Sequence, residues 1–239
     1  MKKKVLAIAL AVALIAIMVS GTLAYFTAED KVENTFTIGS VEIEIWENDK
    51  VTDKGEVIFE KPLVPVVNTE DVTKDPGYTA KVVKVENTGL NAAYIRVHIA
   101  QPYELLGYLE LALNEIGWTN RTTDTNVYID GQRYVVVSFD YATAVDPDAF
   151  TSELLKGAYL SADVDLKANA EGDLEFCKPD GNGGYNFSGF VAHEANGDGT
   201  YTPNTVSVLV YAQAIQAQGF DDATTALDSG FGDDTNPWQ

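Results

Sequence analysis

Asp130-Gly131 stands between two runs of strand-forming residues, Val127-Tyr128-Ile129 and Arg133-Tyr134-Val135-Val136-Val137-Ser138-Phe139. An Asp-Gly link supplies the positive φ angles of a two-residue turn, which constrains residues 126–140 to an antiparallel hairpin. Similar punctuation recurs along the chain. Pro76-Gly77, Asn87-Thr88-Gly89, the glycine-rich stretch 179–184 and Asn196-Gly197-Asp198-Gly199 each interrupt apolar segments. Val41, Ile43 and Ile45 alternate with Glu42, Glu44 and Trp46, the period of a half-buried strand. Residues 159–167 alternate too, with Leu160, Ala162, Val164 and Leu166 on the inward face. Residues 78–86 and 93–100 read as a strand pair around 87–89, the second with Ile95, Val97 and Ile99 on one face and Tyr94, Arg96 and His98 on the other. Residues 57–67 carry Pro62 and Pro65 and fit only a sheet edge. Residues 206–217 are apolar enough for a central strand covered on both faces.

One stretch breaks this rhythm. Leu105, Leu106, Leu109, Leu113 and Ile116 recur at helical spacing and Gly117 is placed to end a helix, so 103–117 reads as a helix packed on a sheet. A short helical turn near 223–227, with a frayed end beyond it, suits the acidic C-terminal stretch. The expected fold is mainly β: a jelly-roll-like antiparallel β-sandwich of eight to ten strands with one connecting helix. No repeat or Pro/Ser-rich linker divides it.

The N-terminus has a different character. Lys2, Lys3 and Lys4 precede fifteen unbroken apolar residues, 5–19. As a helix this run rises about 22 Å, short of the roughly 30 Å hydrocarbon core of a bilayer, and Ser20-Gly21 ends it. Thr22 and Ala24 then supply small residues at the −3 and −1 positions of a signal-peptidase site, which makes Tyr25 the new N-terminus. The organisation expected is a signal peptide over 1–24, an N-terminal segment over 25–40, a sandwich over 41–220 and an acidic tail over 221–239. The mature chain is expected to be secreted, with membrane contact only through the leader before it is cleaved.

Charge narrows the partners. The formal net charge is −20, and loss of the three leader lysines makes it more negative still. Such a surface repels phosphate backbones, which argues against nucleic acid, and it attracts cations. Asp180 and Asp198 lie in loops that faintly resemble calcium loops, but neither loop has the regular ligand ladder or a closing Glu. Tight hairpin turns explain both, and no cofactor is expected. Cys177 is the sole cysteine, so no internal disulfide supports the fold, and it reads as a small core hydrophobe.

No catalytic pattern emerges. The two histidines, His98 and His193, read as partly exposed strand residues. His193-Glu194 has Gly197 where a helical zinc motif needs its second His. There is no Gly-x-Ser-x-Gly elbow, and the many carboxylate pairs follow from an acidic composition. An enzyme is therefore not expected. The twelve tyrosines and three tryptophans suit a sugar-binding face, though core and cross-strand packing accounts for them as well.

Three segments resemble the TasA/camelysin family of exported proteins from Gram-positive bacteria. They are Gly21-Thr22-Leu23-Ala24-Tyr25-Phe26-Thr27 with Asn34-Thr35-Phe36-Thr37-Ile38-Gly39 after it, then Val85-Glu86-Asn87-Thr88-Gly89 with Ala93-Tyr94-Ile95-Arg96-Val97, and 206–220 around Tyr211-Ala212-Gln213-Ala214-Ile215-Gln216-Ala217. The resemblance implies a jelly roll, a SipW-type signal peptidase as processing partner, and a fibre-forming subunit of the biofilm matrix, polymerising with itself or with a related matrix subunit. It also implies assembly by donor-strand exchange. Carried onto this sequence, the donor is 25–39, with Tyr25, Phe26, Val32 and Phe36 as the anchoring side chains. Two alternatives remain open: a camelysin-like secreted metallopeptidase, for which no zinc motif is present, and a carbohydrate-binding surface module.

Overall fold

The computed structural model describes residues 27–30, 41–52, 56–59, 63–67, 70–232 and 235–238. In chain order its strands are β1 (Thr27–Asp30), β2 (Ile43–Glu47), β3 (Lys50–Val51), β4 (Glu56–Phe59), β5 (Thr79–Asn87), β6 (Ala93–Pro102), β7 (Leu109–Leu113) and β8 (Trp118–Ile129). There follow β9 (Gln132–Tyr141), β10 (Ala149–Phe150), β11 (Leu155–Leu160), β12 (Asp165–Ala168), β13 (Leu174–Pro179), β14 (Tyr185–Ala195), β15 (Tyr201–Pro203) and β16 (Val206–Gln216). A helix, α1 (Ala223–Phe231), comes last.

These strands build three antiparallel sheets. The first runs β1-β16-β6-β9-β8, with β4 also beside β16; the second runs β3-β2-β5-β11-β7, with β10 beside β5; the third is β12-β13-β14-β15. The first two face each other. Ile43, Ile45, Val83 and Val85 of one pack into a single core with Ile95, Val97, Ile99, Phe139, Val208 and Val210 of the other. Each such side chain removed from water contributes about 1.5–3 kcal/mol. The chain crosses between the two sheets after β1, β3, β4, β5, β6, β7 and β9, which makes the sandwich jelly-roll-like. The Asp130-Gly131 hairpin forms as the sequence requires, with φ of 50° and 83° at its two turn residues.

Several local expectations are corrected. Residues 103–117 form no helix: a single 3-10 turn, Tyr103–Leu105, is followed by β7. The apolar set serves two periods at once, because Leu109, Leu111 and Leu113 also alternate, and pairing with β11 realises that second pattern. Ile116, which a helix would bury, is 77% exposed. Among the described residues the α-helix is α1 instead, capped by Asp222, whose side chain accepts from the Thr225 N–H.

The segments 78–86 and 93–100 do not pair with each other. β5 and β6 lie in different sheets, and the chain between them turns a corner held by Asn87. The Asn87 amide donates to the Asn91 and Val145 carbonyls and its oxygen accepts from the Gly89 N–H. Residues 159–167 are not one strand either. β11 ends at Leu160, Ala162 is exposed in a turn, and β12 begins a new sheet. Gly157 marks a bulge where β11 meets β5, and a Cβ there would lie 2.5 Å from the Thr79 carbonyl oxygen.

β16 has both faces covered, as its composition anticipates. Even-numbered residues from Val206 to Ala214 enter the central core. On the other face, Tyr94 and Ile215 pack under Ala223, Ala226 and Leu227 of α1. Ala100, Val127, Ile129, Tyr134 and Val136 form a third cluster against Leu209 and Trp238. The C-terminal stretch is thus a strap over the outer face of the first sheet, longer and better packed than a single frayed turn.

Candidate assembly edge

β16 is paired along both of its edges. On one side β6 runs antiparallel to it from Leu209↔Ala100 to Gln216↔Ala93. On the other side two short strands share the edge. β4 covers its first part, Val206↔Phe59 to Leu209↔Glu56. β1 covers its last part, with Thr27↔Ile215, Ala28↔Ala214, Glu29↔Gln213 and Asp30↔Ala212. A strand lodged on such an edge is held by main-chain hydrogen bonds, which any extended segment of suitable register can supply. On the core side β16 carries Ala212 and Ala214, both small and fully buried.

Buried polar groups fix β16 from behind. His98 of β6 bonds through Nδ1 to the Ser138 hydroxyl at 2.8 Å and through Nε2 to Gln213 Oε1 at 3.1 Å. The second distance makes Nε2 the donor, because an amide oxygen only accepts. The His98 ring lies edge-on to Tyr211 and to Trp238, and these two aromatic rings meet each other as well. His98 is therefore fully buried, not partly exposed. His193 is intermediate in exposure and lies on β14, in the third sheet.

Two residues before His98 on β6, the Arg96 guanidinium donates to both oxygens of Asp140, to Asp228 and to the Gly232 carbonyl. Burial pulls the Arg96 pKa down, but its bonds to Asp140 and Asp228 outweigh that and raise it overall. Arg121 of β8 adds a second bond to Asp228 at 2.7 Å. Strands β6, β8 and β9 are thereby tied to the C-terminal strap.

The residues singled out in the sequence divide clearly. Thr22, Ala24, Tyr25, Phe26, Val32 and Phe36 lie outside the described residues, and β1 begins at the second residue after Tyr25. Asp180 and Asp198 cap their own turns. Asp180 accepts from the Asn182 and Gly184 N–H groups, and Asp198 from the Thr200 N–H and hydroxyl. These bonds hold both carboxyl pKa values below the ordinary range. Among the described residues no three His, Cys, Asp or Glu side chains converge to hold a metal. Cys177 is buried in β13, and burial followed by the nearby Asp165 charge pushes its thiol pKa up.

Sequence reasoning did not anticipate the Arg96–Asp140–Asp228 cluster or the role of Trp238. A charged residue between Ile95 and Val97 is the one available signal, since a strand covered on both faces must pair such a charge. No family model, curated protein or solved structure matches this chain.

Proposed function

We propose that this chain is an exported, fibre-forming structural subunit of the extracellular matrix or cell surface. In this reading a signal peptidase of the SipW type cuts after Ala24, and the segment from Tyr25 to Gly39 pairs with the sheet of the next subunit. The reading carries the TasA/camelysin resemblance forward and assigns no catalytic activity, cofactor or nucleic-acid partner.

The observation that carries it is the pairing of β1 with the outer edge of β16. The first described strand after the expected cut occupies an edge of β16 through backbone pairing. A segment paired with its own sheet closes that edge within one chain. The same segment paired with a neighbour's β16 leaves each subunit donating at one end and accepting at the other. Such a head-to-tail contact does not close on itself, so it propagates as a filament. The buried His98–Gln213 bond behind β16 supports this reading, because a preorganised acceptor loses little freedom when a strand docks.

Electron microscopy and sizing of three purified forms test the proposal: one starting at Tyr25, one retaining residues upstream of it, and one starting at Val41. Filaments from the first form only are expected. Equal polymerisation by the form starting at Val41 contradicts the proposal.

A further inference from the structure

We propose that a groove between the β8–β9 hairpin and β14 is a binding site for a neutral oligosaccharide. The groove has a volume of about 800 Å³, and its lining includes Glu104, Tyr128, Asp130, Arg133, Phe190 and Asn204. None of its residues takes part in the β1 or β4 pairing with β16. The site is therefore independent of the assembly reading.

Three features define what the groove accepts. First, Arg133 is held in place while its two terminal nitrogens stay unbonded. Its guanidinium stacks on the Tyr103 ring at 3.6 Å, and its Nε donates to the Thr125 carbonyl at 3.0 Å. A planar guanidinium fixed this way presents two parallel donors to a ligand. Second, Glu104 places a carboxylate in the lining of the groove. A carboxylate only accepts hydrogen bonds, so it calls for a donor. Third, Tyr128 is 55% exposed, with Phe190 half-buried on another wall of the same groove. Exposed rings of this kind form platforms for apolar faces of a ligand.

A sugar meets all three. Its hydroxyls both donate and accept, so neighbouring hydroxyls satisfy a carboxylate and a guanidinium together. Its C–H faces lie flat against an aromatic ring. The charges favour a neutral sugar over an anionic one: Glu104 and Asp130 outnumber Arg133 in the groove, and the whole chain carries −20. Phosphate-bearing ligands and uronic-acid polymers are disfavoured on the same ground.

The test is calorimetric titration of the purified protein with neutral oligosaccharides of glucose, mannose, galactose and N-acetylglucosamine. Polygalacturonate, a polyamine and an extended peptide complete the panel. Saturable binding of at least one neutral oligosaccharide is expected. Tyr128→Ala and Arg133→Ala should each weaken it by about tenfold or more, equivalent to about 1.4 kcal/mol, with unfolding temperatures near that of the parent. Arg133→Lys should weaken it as well, because it keeps the charge and loses the fork. The proposal is overturned if no neutral sugar binds, if these substitutions leave binding unchanged, or if only the polyanion, polyamine or peptide binds. Filament formation plays no part in the readout, so failure here leaves the assembly reading standing.

Discussion

Arg96 of β6 grips Asp140 of β9 through two near-parallel bonds, Nε to Oδ1 at 2.7 Å and Nη2 to Oδ2 at 3.1 Å. The two side chains are 1% and 3% exposed. Removing one partner strands a buried charge. Asp140→Asn or Arg96→Met should each lower stability by about 3–5 kcal/mol, measured by urea unfolding. Replacing both by Arg96→Met with Asp140→Leu should recover a large part of that loss, since a buried ion pair contributes little beyond what apolar packing supplies.

α1 is the lid on the outer face of the first sheet. Leu227 is fully buried there among Tyr94, Ile215, Ala223 and Ala226. Leu227→Ala should cost about 2–5 kcal/mol. Trp238 belongs to the same C-terminal strap and lies edge-on to His98, so its fluorescence should report the loosening before the sandwich as a whole unfolds.

Acid should act on this lid through its cap. Asp222 accepts from the Thr225 N–H and hydroxyl, and these bonds lower its pKa, the N–H contributing most. A folded pKa below the unfolded one gives stability that is present above the ordinary carboxylate range and lost as pH falls through the folded value. The Trp238 signal should therefore shift as pH drops below about 4. Asp222→Asn keeps an acceptor that does not titrate in this range and should flatten that response.

Cys177 should be inert in the folded protein. It is fully buried and its thiol pKa is raised, so little thiolate exists at neutral pH. Ellman's reagent at pH 8 should report no reactive thiol in the native state and one thiol per chain in urea.

Gly157 permits the close approach of β11 to β5. A methyl group there meets the Thr79 carbonyl oxygen at 2.5 Å and the Tyr78 ring at the same distance. The backbone must move to admit it, so Gly157→Ala should destabilise by about 1–3 kcal/mol in thermal or urea unfolding.

Local β structure was largely legible in the sequence. Asp130-Gly131, the glycine-rich turn after β13 and Asn196-Gly197 set their hairpins because tight turns need positive φ. The doubly covered character of β16 was equally plain from its apolar run. Leu105, Leu109 and Leu113 misled because short apolar sets satisfy helical and strand periods together, and only the partner strand β11 decides between them. The corner at Asn87 was hidden for a related reason: Asn-Thr-Gly turns the chain without stating whether the next strand stays in the same sheet.

The candidate sites were less legible. Nothing near Val206 or Gln216 in the sequence announces that β1 and β4 divide the edge of β16, because backbone pairing leaves no side-chain signature. Arg96, Asp140 and Asp228 are far apart along the chain and meet only when α1 folds back over β6 and β9. The groove at Arg133 and Glu104 likewise joins a hairpin tip to a 3-10 turn that reads as part of a helix.

The central claim is that the N-terminal strand of one chain lodges on β16 of another. Ala28 and Ala214 stand directly opposite each other in that ladder. Opposed residues place their Cβ atoms about 4.5–5.5 Å apart, close to what a disulfide bridges. Chains carrying Ala28→Cys and chains carrying Ala214→Cys, each with Cys177→Ala, are mixed under assembly conditions, oxidised and run on a non-reducing gel. A covalent two-chain species that forms only in the mixture is the predicted result. A bond that forms only within a chain bearing both cysteines, and never between chains, would contradict the claim.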